Sequence, residues 1–462
     1  MALVDGQLAS TVKPEGVWEN VFSYFPFDVS LERSEGIYLY DTEGNRYIDV
    51  SGGPFAVNIP HGDPRMIEAI TQQVNRYAYC HPALADPQRA ELASALAEIT
   101  PGDLNEFFFV CGGSEAVETA IKLARQYQVA SGKKSAHKMI GVQEAYHGMT
   151  LGTMSLSGSP GLNVFAPMMP TWPHIEQYSD FRKPEGMDRE EWGKKSAEAL
   201  ERRIHWEGPD SVAAFFATPW GCGSEYGLMA PKSYWKEVRR ICDEFAVLLV
   251  ADEVVTGFGR SGRWFGMEHF DVTPDLMTLA KGMSGSNAPL GAVAVSEKVG
   301  RPFREGTAGF IHGFTNGGHP LSLAAGLATL RIIKEDGLVE NSLKVGEHLH
   351  SYRDKLLAHP SVADVRGTGL FLVMELVEPN NEGEREYFSS DRQAEMLFRQ
   401  IGFKNGLVLY SALYGRRASP LFRRGLPMWI SPPLSITRDQ VDDVFQAMDT
   451  TLSEWEAALG VG

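Results

Sequence analysis

The chain has few cysteines and no long apolar run, and each lack removes a class of protein. Its four cysteines, Cys80, Cys111, Cys222 and Cys242, have no CxxC spacing and are too few to staple 462 residues, so free thiols in a reducing compartment are expected. No stretch approaches the roughly 20 apolar residues of a membrane-spanning helix. The opening MALVDGQLASTVKPEG has no basic segment leading into an apolar one, and a cytoplasmic location with no membrane partner is expected. Basic blocks are missing too. With a formal net charge of -16, the chain has no surface suited to nucleic acid or anionic lipid. His61, His81, His147, His312 and His319 are scattered, without an HExxH framework, so no metal is expected.

What is present is a 43% hydrophobic chain, enough for a large core divided between two lobes. Short apolar runs alternate with amphipathic segments in the middle of the chain: FFFV at 107–110, KMIGV at 138–142, AAFFA at 213–217, VLLVA at 247–251, LMTLA at 276–280 and AVAVS at 292–296. Buried runs separated by helices predict an α/β fold with a mainly parallel sheet covered on both faces. GIYLYDTEGNRYIDV at 36–50 predicts a hairpin turning at Glu43-Gly44-Asn45. The expected division is residues 1–60 as a segment and hairpin of a smaller domain, 61–330 as the large domain, and 331–462 as the rest of the small domain. Residues 183–210 predict a solvated surface helix, and amphipathic helices are expected after His319-Pro320 and from about Arg438.

Two strand ends carry the chemistry. The run ending in Asp252-Glu253 places a carboxylate where open α/β sheets bind ligands. The run ending in Ala280 delivers Lys281, whose charge is costly to bury unless it is paired or lost. Alone, each has a plainer reading, a turn residue or a solvent-reaching lysine. Together they supply what pyridoxal chemistry needs: an amine to hold an aldehyde as an imine, and a carboxylate to keep a pyridine nitrogen protonated. Gly112-Gly113-Ser114 lies between a strand and a helix beginning near Glu115, so its free N–H groups and the helix dipole suit a phosphate; the alternative is a tight turn with a serine cap.

DEVVTGFGRSG at 252–262 and PDLMTLAKGMSG at 274–285 resemble the signature of class III (omega) aminotransferases, amine:pyruvate transaminases among them. The likeness continues through GGSEAVETAIKLAR at 112–125, YHGMT at 146–150, HGFTNGGHP at 312–320 and ISPPL at 430–434. It implies pyridoxal-phosphate fold type I, pyridoxal 5'-phosphate as cofactor (pyridoxamine phosphate as its intermediate form), and a ping-pong reaction between an amine donor and an oxo-acid acceptor. Lys281 would form the Schiff base and Asp252 hold the ring nitrogen. The resemblance also implies that Gly113, Ser114 and Gly148 contact the cofactor, Tyr146 stacks on its ring with His147 in support, and Val255 lies on the opposite face. Thr315 would reach the phosphate of a neighbouring subunit, implying a homodimer with shared active sites.

The pattern also departs from the family. Where relatives have Glu-Pro after the AAFFA strand, this chain has Thr218-Pro219, and where some carry the matching arginine it has Met428-Trp429. Tyr410 stands where an arginine follows a Gly-Leu-Val run in relatives; Arg416, Arg417, Arg423 or Arg424 is a candidate to bind a carboxylate in its place. Pocket candidates are Phe22, Tyr24, Pro54, Phe55, Ala83, Leu84, Trp220 and Trp429, of which Phe55, Trp220 and Trp429 jointly favour an apolar or aromatic amine over a highly polar diamine. Racemases, aminomutases and decarboxylating transaminases use the same scaffold, and a non-catalytic cofactor-binding protein is the remaining alternative.

Overall fold

Strands apolar on both sides need cover on both faces, and the arrangement of the central runs follows from that. The structure, a computed structural model, describes residues 29–81, 84–221, 227–306, 309–379, 385–386, 394–410 and 426–460. Seven strands form one sheet in the order Leu104–Val110, Gly291–Ser296, Leu276–Leu279, Leu248–Asp252, Val212–Ala217, Lys138–Val142 and His174–Ile175. The last five run parallel. Gly291–Ser296 runs against both of its neighbours.

Every residue of Val212–Ala217 and Leu248–Asp252 is buried, and successive side chains serve opposite layers. Phe215 and Leu249 pack with Leu200, Ile204, Trp235 and Val238, from the helices Arg189–Glu207 and Lys232–Glu244. Phe216, Leu248 and Val250 pack with Val117, Ala120 and Ala124 of the helix Gly113–Ala130. The expected surface helix is Arg189–Glu207. It is solvated on one side only, because Gly193, Ala197, Leu200 and Ile204 recur at helical spacing and are buried. Asp188 caps its start by accepting from the N–H groups of Glu190 and Glu191 at 2.8 and 3.2 Å.

The predicted hairpin is formed by Tyr38–Asp41 and Arg46–Asp49, its turn held by Asp41 Oδ1, which accepts from Glu43 N and Asn45 N. Leu31–Glu35 extends it on one side, and Leu407–Val408 pairs in parallel with Arg46–Asp49 on the other. Chain segments some 360 residues apart therefore share one small sheet. A second, antiparallel sheet of Val362–Gly367, Leu372–Leu376 and Leu426–Ile430, with the helix Arg438–Leu459, completes a smaller α+β unit beside the large mixed sheet. Among the described residues no helix is long and apolar enough to cross a membrane. Cys80, Cys111 and Cys242 are free thiols; Cys222 lies outside the described residues.

Candidate active site

The parallel strands Leu248–Asp252 and Leu276–Leu279 set Asp252 beside Thr278 in register, with Lys281 just beyond. Asp252 is buried. Its Oδ1 accepts from Val254 N at 3.1 Å and Thr278 Oγ1 at 3.0 Å, and its Oδ2 accepts from His147 Nδ1 at 2.8 Å. These three donors fix the plane of the carboxylate. The bond to a carboxylate requires the proton of His147 on Nδ1, while its Nε2 is buried with no partner among the described residues. Lys281 has φ +46°, and Phe55, whose ring centroid lies 5.3 Å from Lys281 Nζ, has φ +61°. Two left-handed non-glycine residues side by side are a strain that folded proteins keep mainly at functional sites.

A third element closes the site. The helix Gly113–Ala130 makes its first cap bond from Ala116 N to Gly112 O at 2.9 Å, so the preceding N–H groups point out of its positive end. Gly112, not Ser114, occupies the cap position; Ser114 lies in the first turn and its Oγ accepts from Met149 N at 3.1 Å. A Cβ on Gly112 would meet nothing within 4 Å, whereas one on Gly113 would come 3.0 Å from Val254 Cγ1. The turn is thus open outward and tightly seated behind.

These parts line one cavity of about 470 Å3, which brings together Gly113, Ser114, Tyr146, His147, Gly148, Asp252, Val255 and Lys281, along with Thr218. The donor set suits a flat ring with a phosphate at one end: backbone N–H groups at the helix start, an anchored carboxylate and an amine, with Tyr146 and Val255 between them. Pyridoxal phosphate fits these residues. Among the described residues no group of His, Cys, Asp and Glu could hold a metal.

The remaining candidates lie elsewhere. Phe55, Trp220, Phe371 and Trp429 form a buried cluster, with Phe55 and Trp429 ring centroids 4.6 Å apart and Trp220 and Phe371 5.1 Å apart. Phe55 faces Lys281, yet Phe55, Trp220 and Trp429 are all outside the cavity lining. Pro54 and Leu84 are exposed and also outside the lining, as is Thr315 on its surface loop. Phe22, Tyr24, Ala83, Arg416, Arg417, Arg423 and Arg424 lie outside the described residues. Thr218 spends its hydroxyl on Trp220 O, closing its own turn.

Sequence reasoning passed over Thr278 and Glu253. The signal for Thr278 was a lone hydroxyl in an apolar strand. Glu253 is fully buried and accepts from Thr256 Oγ1, from Gly266 N at 2.9 Å and from Met267 N at 2.7 Å, which ties the loop after Asp252 to the next turn. Burial pushes its carboxyl up to about 7, against these donors.

Both the sequence and the fold are similar to those of known proteins. The family described as Aminotransferase class-III matches residues 23–452. Putrescine--pyruvate aminotransferase of Pseudomonas aeruginosa is 33% identical over 434 residues, covering 93% of this chain and 91% of that protein. An (S)-enantioselective omega-transaminase of Thermomicrobium roseum superposes with a TM-score of 0.85 at 34% identity, covering 92% of this chain and 93% of that one. The omega-transaminase of Pseudomonas jessenii, solved in complex with PMP, superposes at 0.86 with 30% identity and 94% coverage of both chains. The chain belongs to the class-III aminotransferase family and is a transaminase of the pyridoxal-phosphate fold type I.

Proposed function

We propose that the enzyme moves an amino group from a primary amine, apolar or aromatic in character, or from an omega-amino acid, to an oxo acid such as pyruvate, in two half-reactions. The observation that carries this reading is the meeting of Lys281, Asp252 and the Gly112–Ser114 turn around one cavity. Phe55 against Lys281, and the apolar cluster behind it, support an apolar donor. The activity in the name of the Pseudomonas aeruginosa relative supports pyruvate as acceptor.

When bound, pyridoxal phosphate supplies an aldehyde carbon for capturing amines and a ring that withdraws electrons. Lys281 Nζ, with the Phe55 ring beside it, would take the proton from the donor carbon and return it one atom along; the acceptor half would run the same transfer backwards. Asp252, its other contacts filled by Val254, Thr278 and His147, holds the proton of the ring nitrogen. Ser114 and the N–H groups of the helix start bind the phosphate. Tyr146 and Val255, both lining the cavity, would hold the ring in place. Thr315 would complete the phosphate site of a second copy, so the working unit would be a homodimer; a cytoplasmic location is the accompanying proposal.

The test is the visible absorbance of the cofactor-loaded protein, recorded alone, after a hydrophobic primary amine, and after pyruvate. Bleaching by amine and recovery with pyruvate are expected. A coloured protein indifferent to every apolar amine overturns the donor class, and one that stays colourless when given cofactor overturns the assignment of Lys281.

A further inference from the structure

Behind the Lys281 turn lies a polar hub that the reaction itself does not use. Arg260 is completely buried, and its acceptors among the described residues are all uncharged. Its Nη1 donates to Leu370 O at 3.1 Å and Pro432 O at 2.6 Å, and its Nη2 donates to Val57 O at 3.1 Å and Asn58 Oδ1 at 3.0 Å. Asn58, also buried, turns its amide the other way: Nδ2 donates to Phe258 O at 2.7 Å. Phe258 has φ +59°, so the loop it shapes is one the backbone would not hold unaided. Gly282, directly after Lys281, is pressed onto this hub. A Cβ there would stand 2.5 Å from Asn58 Nδ2 and 3.1 Å from Phe258 Cβ.

We propose that Asn58, oriented by Arg260, is a positioning residue for Lys281. Its amide touches the guanidinium on one side and the Phe258–Gly282 contact on the other, so the aim of the left-handed lysine depends on chain segments near both termini. The inference rests on Lys281 being the working amine.

Asn58→Asp separates positioning from mere stability. The carboxylate keeps an acceptor for Arg260 but sets an oxygen where the amide donated to Phe258 O. Asn58→Ala removes both contacts, leaves Arg260 three backbone acceptors, and covers the case in which the aspartate fails to fold. Each holoenzyme is followed by the pH titration of its visible absorbance, by kcat and KM, and by melting temperature, with Lys281→Ala alongside. For Asn58→Asp the melting temperature falls no further than for Asn58→Ala, the titration midpoint moves, and kcat falls roughly tenfold or more at little-changed KM, as expected when a reacting group is misplaced. If melting drops while the titration and kcat stay at wild-type values in both variants, the inference is overturned and Asn58 is structural. If the titrating band persists in Lys281→Ala, the assignment of the lysine fails, and this inference with it.

Discussion

Gly148→Ala tests the phosphate cradle through a contact rather than through chemistry. Gly148 has φ +124°, and a Cβ on it would lie 3.0 Å from both Cα and Cβ of Ser114 and closer still to its hydroxyl. Ordinary carbon contacts begin near 3.5 Å, so Ser114 must retreat. The backbone conformation costs about 1–3 kcal/mol for an L residue, felt by the whole fold. Overpacking adds about 1–3 kcal/mol directed at Ser114. Gly132→Ala is the control, since Gly132 has φ +89° but no atom within 4 Å of a Cβ position. Cofactor titration of both apo variants, with their melting curves, separates the two contributions. Both should melt earlier than wild type. Gly148→Ala alone should bind cofactor more weakly, by roughly tenfold to a hundredfold. Equal cofactor affinity in the two variants would refute the placing of the cofactor against Ser114.

The other expectations are shorter. Asp252→Asn presents an N–H either to His147 or to Val254 and Thr278, and removes the charge that holds the ring proton; turnover should fall roughly a hundredfold or more, and kcat within twofold of wild type removes Asp252 from the site. For Glu253, a folded value of about 7 above the ordinary 4.5 means that its protonated form stabilises the fold at low pH and that this contribution fades as pH rises through 7. The gap is worth roughly 3 kcal/mol, so the advantage of wild type over Glu253→Gln in melting should shrink between pH 4.5 and 8; a constant difference contradicts the raised value. Thr218→Glu should lower activity on apolar amines, because it breaks the bond to Trp220 O and puts a carboxylate into the cavity that Lys281 lines, where it competes for the lysine; a gain in activity would show that the Thr218 reading is wrong.

The large sheet was legible because burial on both faces writes itself into sequence as unbroken apolar runs, and Val212–Ala217 and Leu248–Asp252 are of that kind. His174–Ile175 is too short to leave such a mark, and Leu31–Glu35 is mostly exposed and reads as polar. Within the site, Asp252 and Lys281 could be picked out because each interrupts an apolar strand at its end. Asn58 and Arg260 could not, since the bond between them joins positions 202 residues apart and no periodicity records it. Trp220 and Trp429 illustrate another limit. Residue type identifies an apolar wall but does not distinguish the surface of the wall from the layer behind it.

The antiparallel strand Gly291–Ser296 has a consequence for biosynthesis. It is the link between the rest of the large sheet and Leu104–Val110, the strand that leads into Gly112. Val110 pairs with Gly291, so a nascent chain has long displayed Phe107, Phe108 and Phe109 on an unfinished strand before their partner leaves the ribosome. Such late, long-range closure slows folding and leaves a sticky edge for chaperones to cover. Chains stopped short of residue 291 carry Asp252 and Lys281 but lack the strand that joins Leu104–Val110, and with it the Gly112 turn, to the rest of the large sheet.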